Sequence, residues 1–85
     1  YQRLSEGFIR EFQDKVDWEA ISYDQKLSED FIREFKDKVD WKFISYSQKL
    51  YFSFIRDFIK KLDIELLLDN EKISKDVKEL IKVLV

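Results

Sequence analysis

Apolar residues recur along this chain in a pattern that repeats before it reads as any single element. Phe8, Ile9, Phe12 and Val16 lie at helical spacing, and Phe31, Ile32, Phe35 and Val39 reproduce them 23 residues later. Each set is followed by a Trp and an Ile three residues apart, Trp18 with Ile21 and Trp41 with Ile44. Residues 4–26 and 27–49 align without gaps. Of the 23 positions, 18 are identical; the five that differ pair Gly7 with Asp30, Gln13 with Lys36, Glu19 with Lys42, Ala20 with Phe43, and Asp24 with Ser47. Residues 50–72 form a decayed third copy that keeps Leu50, Phe54, Ile55, Arg56, Phe58, Lys61, Asp63 and Lys72. A fixed period of this length is the mark of a stacked array of supersecondary units.

The unit is helical, but it cannot be one continuous helix. At about 100° per residue, one period advances six turns plus about 140°. An uninterrupted helix would therefore rotate the apolar stripe away from itself in each copy. The period is not a heptad multiple either, which excludes a coiled coil. The breaks are written in capping residues. Ser5 and Ser28 are good N-caps, with Leu4 and Leu27 before them and Ile9 and Ile32 four residues into the helix as hydrophobic staples. Asp17 and Asp40 are the second caps, stapled by Val16–Ile21 and Val39–Ile44. Two starts per period predict two short helices. Helix A covers about 5–16 and 28–39, burying Phe8, Phe12 and Val16 in the first copy; helix B covers about 17–26 and 40–49. Helices this short are marginal alone, so burial against neighbouring units must hold them.

The end of the chain departs from the pattern. Tyr51 replaces the cap Ser, and Phe52 and Ser53 replace Glu29 and Asp30. The loss of the start signal predicts that helix B of the second copy runs on through Leu50, Phe54 and Phe58 to about residue 62; the alternative is a fresh start at Ser53. Asp63 keeps the second cap. Asp69-Asn70 reads as a turn, and Ser74 opens a last helix with Val77, Leu80, Ile81 and Leu84 at i, i+3, i+4 and i+7. The expectation is an all-α fold, short antiparallel helix pairs stacked as a small solenoid and closed by a C-terminal helix over 73–85, the whole of 1–85 forming one domain. Tyr1-Gln2-Arg3 takes the place of Asp24-Gln25-Lys26, so the chain reads as opening inside the last residues of an earlier repeat of a longer protein.

Composition narrows the chemistry. The 85 residues contain no Cys, no His and no Pro, and a single Gly. Disulfides, thiolate chemistry, the commonest metal ligand and the usual neutral-pH general base are all absent. A net charge of −2 offers no electrostatic draw for nucleic acid, and no run of apolar residues is long enough to span a membrane. The acidic residues Glu29, Asp30, Glu34, Asp37 and Asp40 interleave with bases at i, i+4 spacing: Glu11–Lys15, Glu34–Lys38, Arg10–Asp14 and Arg33–Asp37. That is the pattern of a solvated helix face. Ser22 and Ser45 lack a His to activate them, and as equivalent residues in successive copies they read as packing positions. Gln25 and Gln48 read as polar contacts to backbone. Residues 69–74 begin like a calcium loop, but Ser74 stands where Gly is needed and Leu80 where the closing Glu belongs. Trp18 and Trp41 follow Asp caps and read as core. Lys75, Lys78 and Lys82 form a basic edge broken by Asp76 and Glu79. The chain therefore reads as no enzyme and as needing no cofactor.

Recognition is expected where the copies differ, because an array varies chosen surface positions on a constant scaffold. The candidate protein-binding surface is Glu19, Tyr23, Lys42, Phe43, Tyr46, Tyr51 and Phe52, rich in the aromatics that interfaces favour; the alternative is that Tyr51 and Phe52 bury under the C-terminal helix. The strings LSEDFIREFKDKVDW and W-x-x-IS-Y-x-Q-KLSE resemble tandem short-helix repeats in proteins of giant viruses, phages and AT-rich bacteria, well over residues 1–49 and poorly over 50–72. The resemblance imports no chemistry. It implies a viral or mobile-element setting, hence an intracellular, cytoplasmic protein that blocks or adapts a host protein. The alternatives are a structural or self-associating repeat segment of a larger protein and, third, nucleic-acid binding.

Overall fold

The computed structural model describes residues 3–85. Tyr1 and Gln2, on which the reading of an earlier repeat partly rests, lie outside the described residues. The capping residues produce the elements. Ser5 Oγ accepts from Phe8 N–H and opens α1 (Glu6–Glu11); Asp17 Oδ1 accepts from Glu19 and Ala20 N–H and opens α2 (Trp18–Asp24). Ser28 and Asp40 do the same for α3 (Glu29–Glu34) and α4 (Trp41–Ser47). α5 (Phe52–Asp57) follows Tyr51, Asp63 caps α6 (Ile64–Asp69), and Ser74 caps α7 (Lys75–Leu84). The described residues are all-helical, with seven helices and no strand.

The helices α1 to α4 are shorter than the apolar pattern predicts, and side-chain bonds to backbone carbonyls recur at their ends in both copies. In a helix running on to Val16, the Asp17 N–H would bond to the Gln13 carbonyl. That carbonyl is taken by Trp18 Nε1 at 2.9 Å, and Trp41 Nε1 takes the equivalent Lys36 carbonyl at 2.9 Å. The chain turns instead at Phe12 and Phe35. Helix B has bonds of the same kind at its end. Continuation would need Lys26 N–H on the Ser22 carbonyl, but Gln48 Nε2 donates to Ser22 O at 2.9 Å and to Gln25 O at 2.6 Å. Asn70 Nδ2 repeats this on Ser45 O and Gln48 O. The backbone of Gln48 is extended, φ −91° and ψ 148°, and its side chain and carbonyl are tied to other copies, so the predicted continuous helix from the second copy through Leu50 to residue 62 does not form. α5 starts afresh at Phe52, although Tyr51 supplies no side-chain cap. The Tyr51 N–H is satisfied by Glu29 Oε2 at 2.7 Å.

The most extensive helix–helix contacts run from α2 to α4 and from α4 to α6, so the three B helices lie side by side; α7 packs on α5 and α6. The core contains Ile9, Ile21, Phe31, Ile32, Ile44, Phe54, Ile55, Leu67 and Ile81. One set of core expectations needs correction. Phe31 and Phe35 are 1% and 6% exposed, but their first-copy counterparts Phe8 and Phe12 are 44% and 38% exposed. Phe31 and Phe35 lie against Trp18, with ring centroids 6.2 and 5.3 Å away, whereas no tryptophan reaches Phe8 or Phe12 among the described residues.

The charge pattern also resolves differently from the sequence expectation. The expected i, i+4 pairs within a helix are replaced by bridges between copies: Arg10 to Glu34 at 2.8 Å, Arg33 to Asp57 at 3.2 Å and Lys38 to Asp14 at 2.9 Å. Arg10 and Arg33 each also lie over the next copy's Phe ring, Phe31 and Phe54 respectively, at 5.7 and 5.1 Å. These side chains reach to another copy and away from their own helices.

Candidate functional site

Most of the sequence-predicted surface residues come together on the side formed by α2, α4 and α6. Glu19 and Tyr23 on α2 and Lys42, Phe43 and Tyr46 on α4 line one open groove of about 380 Å³, completed by Asp40 and by Leu66 of α6. The helical period explains the clustering. Glu19 and Tyr23 are four residues apart, as are Lys42 and Tyr46, and the side-by-side packing of α2 and α4 sets the two rows against each other. The Phe43 ring meets Tyr23 edge-on with centroids 5.3 Å apart, and the Tyr23 and Tyr46 rings lie parallel within 4° at 6.4 Å. Tyr23 and Tyr46 remain 48% and 44% exposed, so this aromatic group lies at the surface.

The tyrosine pair also borders a second hollow of about 360 Å³, whose other walls are Asp24, Ser47, Asp69, Asn70, Glu71 and Lys72. The two hollows have different chemistry. The first has Phe43 and Leu66 in its lining; the second carries three carboxylates and one lysine. Asn70 is buried and held on both sides, with its Oδ1 accepting from Lys72 N–H at 2.9 Å, so it shapes the second hollow and offers no free group.

Tyr51 and Phe52 lie apart from this group. Tyr51 is exposed beside Lys49, whose ammonium stands 5.5 Å over its ring, and it borders a different depression with Lys26, Ser28 and Glu29. Phe52 is half-buried at the start of α5. Leu66, Asp69 and Glu71 are the residues that sequence reading missed. They belong to the decayed copy, where the alignment is weakest; Leu66 reaches the groove, and Asp69 and Glu71 the second hollow.

The residues that resembled catalytic or ligand-stacking groups are occupied structurally. Ser22 Oγ accepts from Asp40 N–H and Ser45 Oγ from Asp63 N–H, both at 2.9 Å, and both serines are fully buried. Gln48 Oε1 accepts from Leu27 N–H and Gln25 Oε1 from Leu4 N–H, the backbone role expected of them. Trp18 and Trp41 pack on the next copy's phenylalanines. On the basic edge of α7, Lys82 is paired with Glu79 at 3.3 Å. The described residues contain no helix long and apolar enough to cross a membrane. No known protein family, curated protein or solved structure matches the chain.

Proposed function

We propose that this chain is a non-enzymatic helical-repeat module, its copies stacked as a small solenoid, and that it binds a protein partner through the groove between α2, α4 and α6. One observation carries the reading: Phe43, which stands where the first copy has Ala20, lies in a surface cluster with Tyr23 and Tyr46 that lines one groove with Leu66. Aromatic side chains that stay exposed while already ordered by their neighbours supply contact area at low entropic cost. The charges alongside suggest the ligand's chemistry. An apolar anchor would enter beside Phe43 and Leu66, and a basic residue next to it would face Asp69 and Glu71. A viral or mobile-element inhibitor or adaptor of a cytoplasmic host protein is the setting that the repeat resemblance suggests for such a binder.

The test begins with a displayed library of peptides panned on the folded chain, with binders then mapped by amide chemical shifts. Shifts should centre on Tyr23, Phe43 and Tyr46, and Phe43→Ala should weaken binding at least tenfold while changing stability by only about 1 kcal/mol. Binders that map elsewhere and ignore Phe43→Ala would remove the groove from consideration.

A further inference from the structure

The contacts between copies follow one register, and the first copy lacks the incoming half of it. Glu6, Arg10, Asp14, Trp18 and Ser22 stand at every fourth residue of the first copy. Each serves the second copy. Glu6 accepts from Ser28 N–H and Oγ, Arg10 pairs with Glu34, and Asp14 pairs with Lys38. Trp18 covers Phe31 and Phe35, and Ser22 accepts from Asp40 N–H. Four of the five recur one copy on: Glu29 to Tyr51, Arg33 to Asp57, Trp41 to Phe54 and Phe58, and Ser45 to Asp63.

Phe8, Phe12, Glu11, Lys15 and the Asp17 N–H, the matching groups on the first copy, receive no such contact among the described residues. Phe8 and Phe12 are exposed. Among the described residues, Glu11 and Lys15, the counterparts of Glu34 and Lys38, have no ionic partner and no serine reaches the Asp17 N–H. The entry to α1 is also shaped as a continuation, because Leu4 N–H bonds to Gln25 Oε1 just as Leu27 N–H, which follows a helix B, bonds to Gln48 Oε1.

We infer that the Phe8–Phe12 face of α1 is a docking site for a further helical repeat joined ahead of α1 in the same polypeptide and carrying the register Glu-x3-Arg-x3-Asp-x3-Trp-x3-Ser. Charge complementarity fits, since the arriving Arg would meet Glu11 and the arriving Asp would meet Lys15. A second copy of this chain does not fit end to end. At the same register its third copy offers Phe52, Arg56, Lys60, Ile64 and Leu68, and its two tryptophans are already engaged. Covalent attachment is favoured because a lone unit of two such short helices does not fold before docking. The inference rests on the contacts between copies and not on the groove.

The test is to fuse a copy of residues 4–26 directly ahead of Leu4 and melt the extended chain. Docking predicts one transition, raised by roughly 5–10 °C over the original chain. It also predicts slowed amide exchange at Phe8 and Phe12, and a Phe8→Ala penalty that is small in the original chain and several-fold larger in the extended one. Replacing the Trp of the added unit by Ala should abolish the rise while the original segment still folds. An unshifted melting temperature, or the same rise from a unit without its Trp, overturns the inference. So does a rise of equal size when the unit is added as a free peptide, or a concentration-dependent dimer of the original chain that buries Phe8 and Phe12.

Discussion

Ser22 and Ser45 are fully buried, and each completes the cap of a helix in the copy that follows its own. Gln48 does more: through one amide it bonds to three backbone groups, the Leu27 N–H and the carbonyls of Ser22 and Gln25. Side chains of this kind hold the units in register because a buried backbone group left without a partner costs about 1–3 kcal/mol. The aromatic residues divide by role. Trp41 stacks on Phe58 and Phe54 and bonds to the Lys36 carbonyl, so Trp41→Ala loses packing and a hydrogen bond together. It should cost about 3 kcal/mol, a large share of a small domain's stability. Phe43→Ala removes a ring that touches Tyr23 at the surface and should cost about 1 kcal/mol. Urea denaturation of the two variants measures both values, and the reverse order would mean that the buried and binding faces have been exchanged. Trp41 was legible as a packing residue in the sequence because it follows an Asp cap. Its bond to Lys36 was not, since nothing in local spacing signals an indole reaching back five residues.

At the scale of the element, starts were legible and ends were not. Ser5, Asp17, Ser28, Asp40, Asp63 and Ser74 all accept from N–H groups of the first turn. An N-cap is a local device, so a sequence displays it. The helix ends coincide with side-chain bonds to backbone carbonyls: Trp18 and Trp41 bond just beyond α1 and α3, and Gln48 and Asn70 bond to carbonyls more than twenty residues away in sequence. At the predicted overrun through Leu50 the start signal is missing, yet the bonds from Asn70 remain. α5 therefore begins at an uncapped Tyr51 whose backbone already has the extended geometry of a cap, φ −97° and ψ 163°. Tyr51→Ser should restore the missing bond and stabilise the chain by about 0.5–1 kcal/mol, read as a rise in the thermal midpoint. A fall would show that the Lys49–Tyr51 contact outweighs the cap.

Across the molecule, one ion pair between copies links stability to pH. The Arg10 guanidinium holds the Glu34 carboxyl below its usual range, chiefly by direct hydrogen bonding and then by charge, with partial desolvation opposing both. A carboxyl whose folded value is depressed adds stability above its unfolded value, about 4.3, and loses it as pH falls through the folded value. Both partners are solvent-exposed, so the effect is small. Thermal midpoints should decline as pH drops below about 4.3, and Glu34→Gln should flatten part of that decline. An unchanged slope in the variant would remove this pair from the acid response.

The same directional bonding produces a gradient along the chain. The second and third copies each receive a Trp from the copy before them, and α7 packs on α5 and α6; α1 receives no Trp among the described residues and leaves Phe8 and Phe12 partly exposed. In an array, local stability follows the interfaces a unit shares with its neighbours. Units that bury less apolar surface open first, at lower free energy than the whole chain. Backbone amides that bond inside equivalent turns allow a direct comparison: Ile9, Ile32 and Ile55 each donate to the cap residue's carbonyl at 3.1 Å. Identical local bonding would give identical protection if stability were a property of the helix alone. Hydrogen exchange should instead find Ile9 the fastest of the three, with Ile32 and Ile55 slower by at least tenfold. Equal rates would mean that the chain opens only as a whole, and that the exposed rings of α1 cost its first copy nothing.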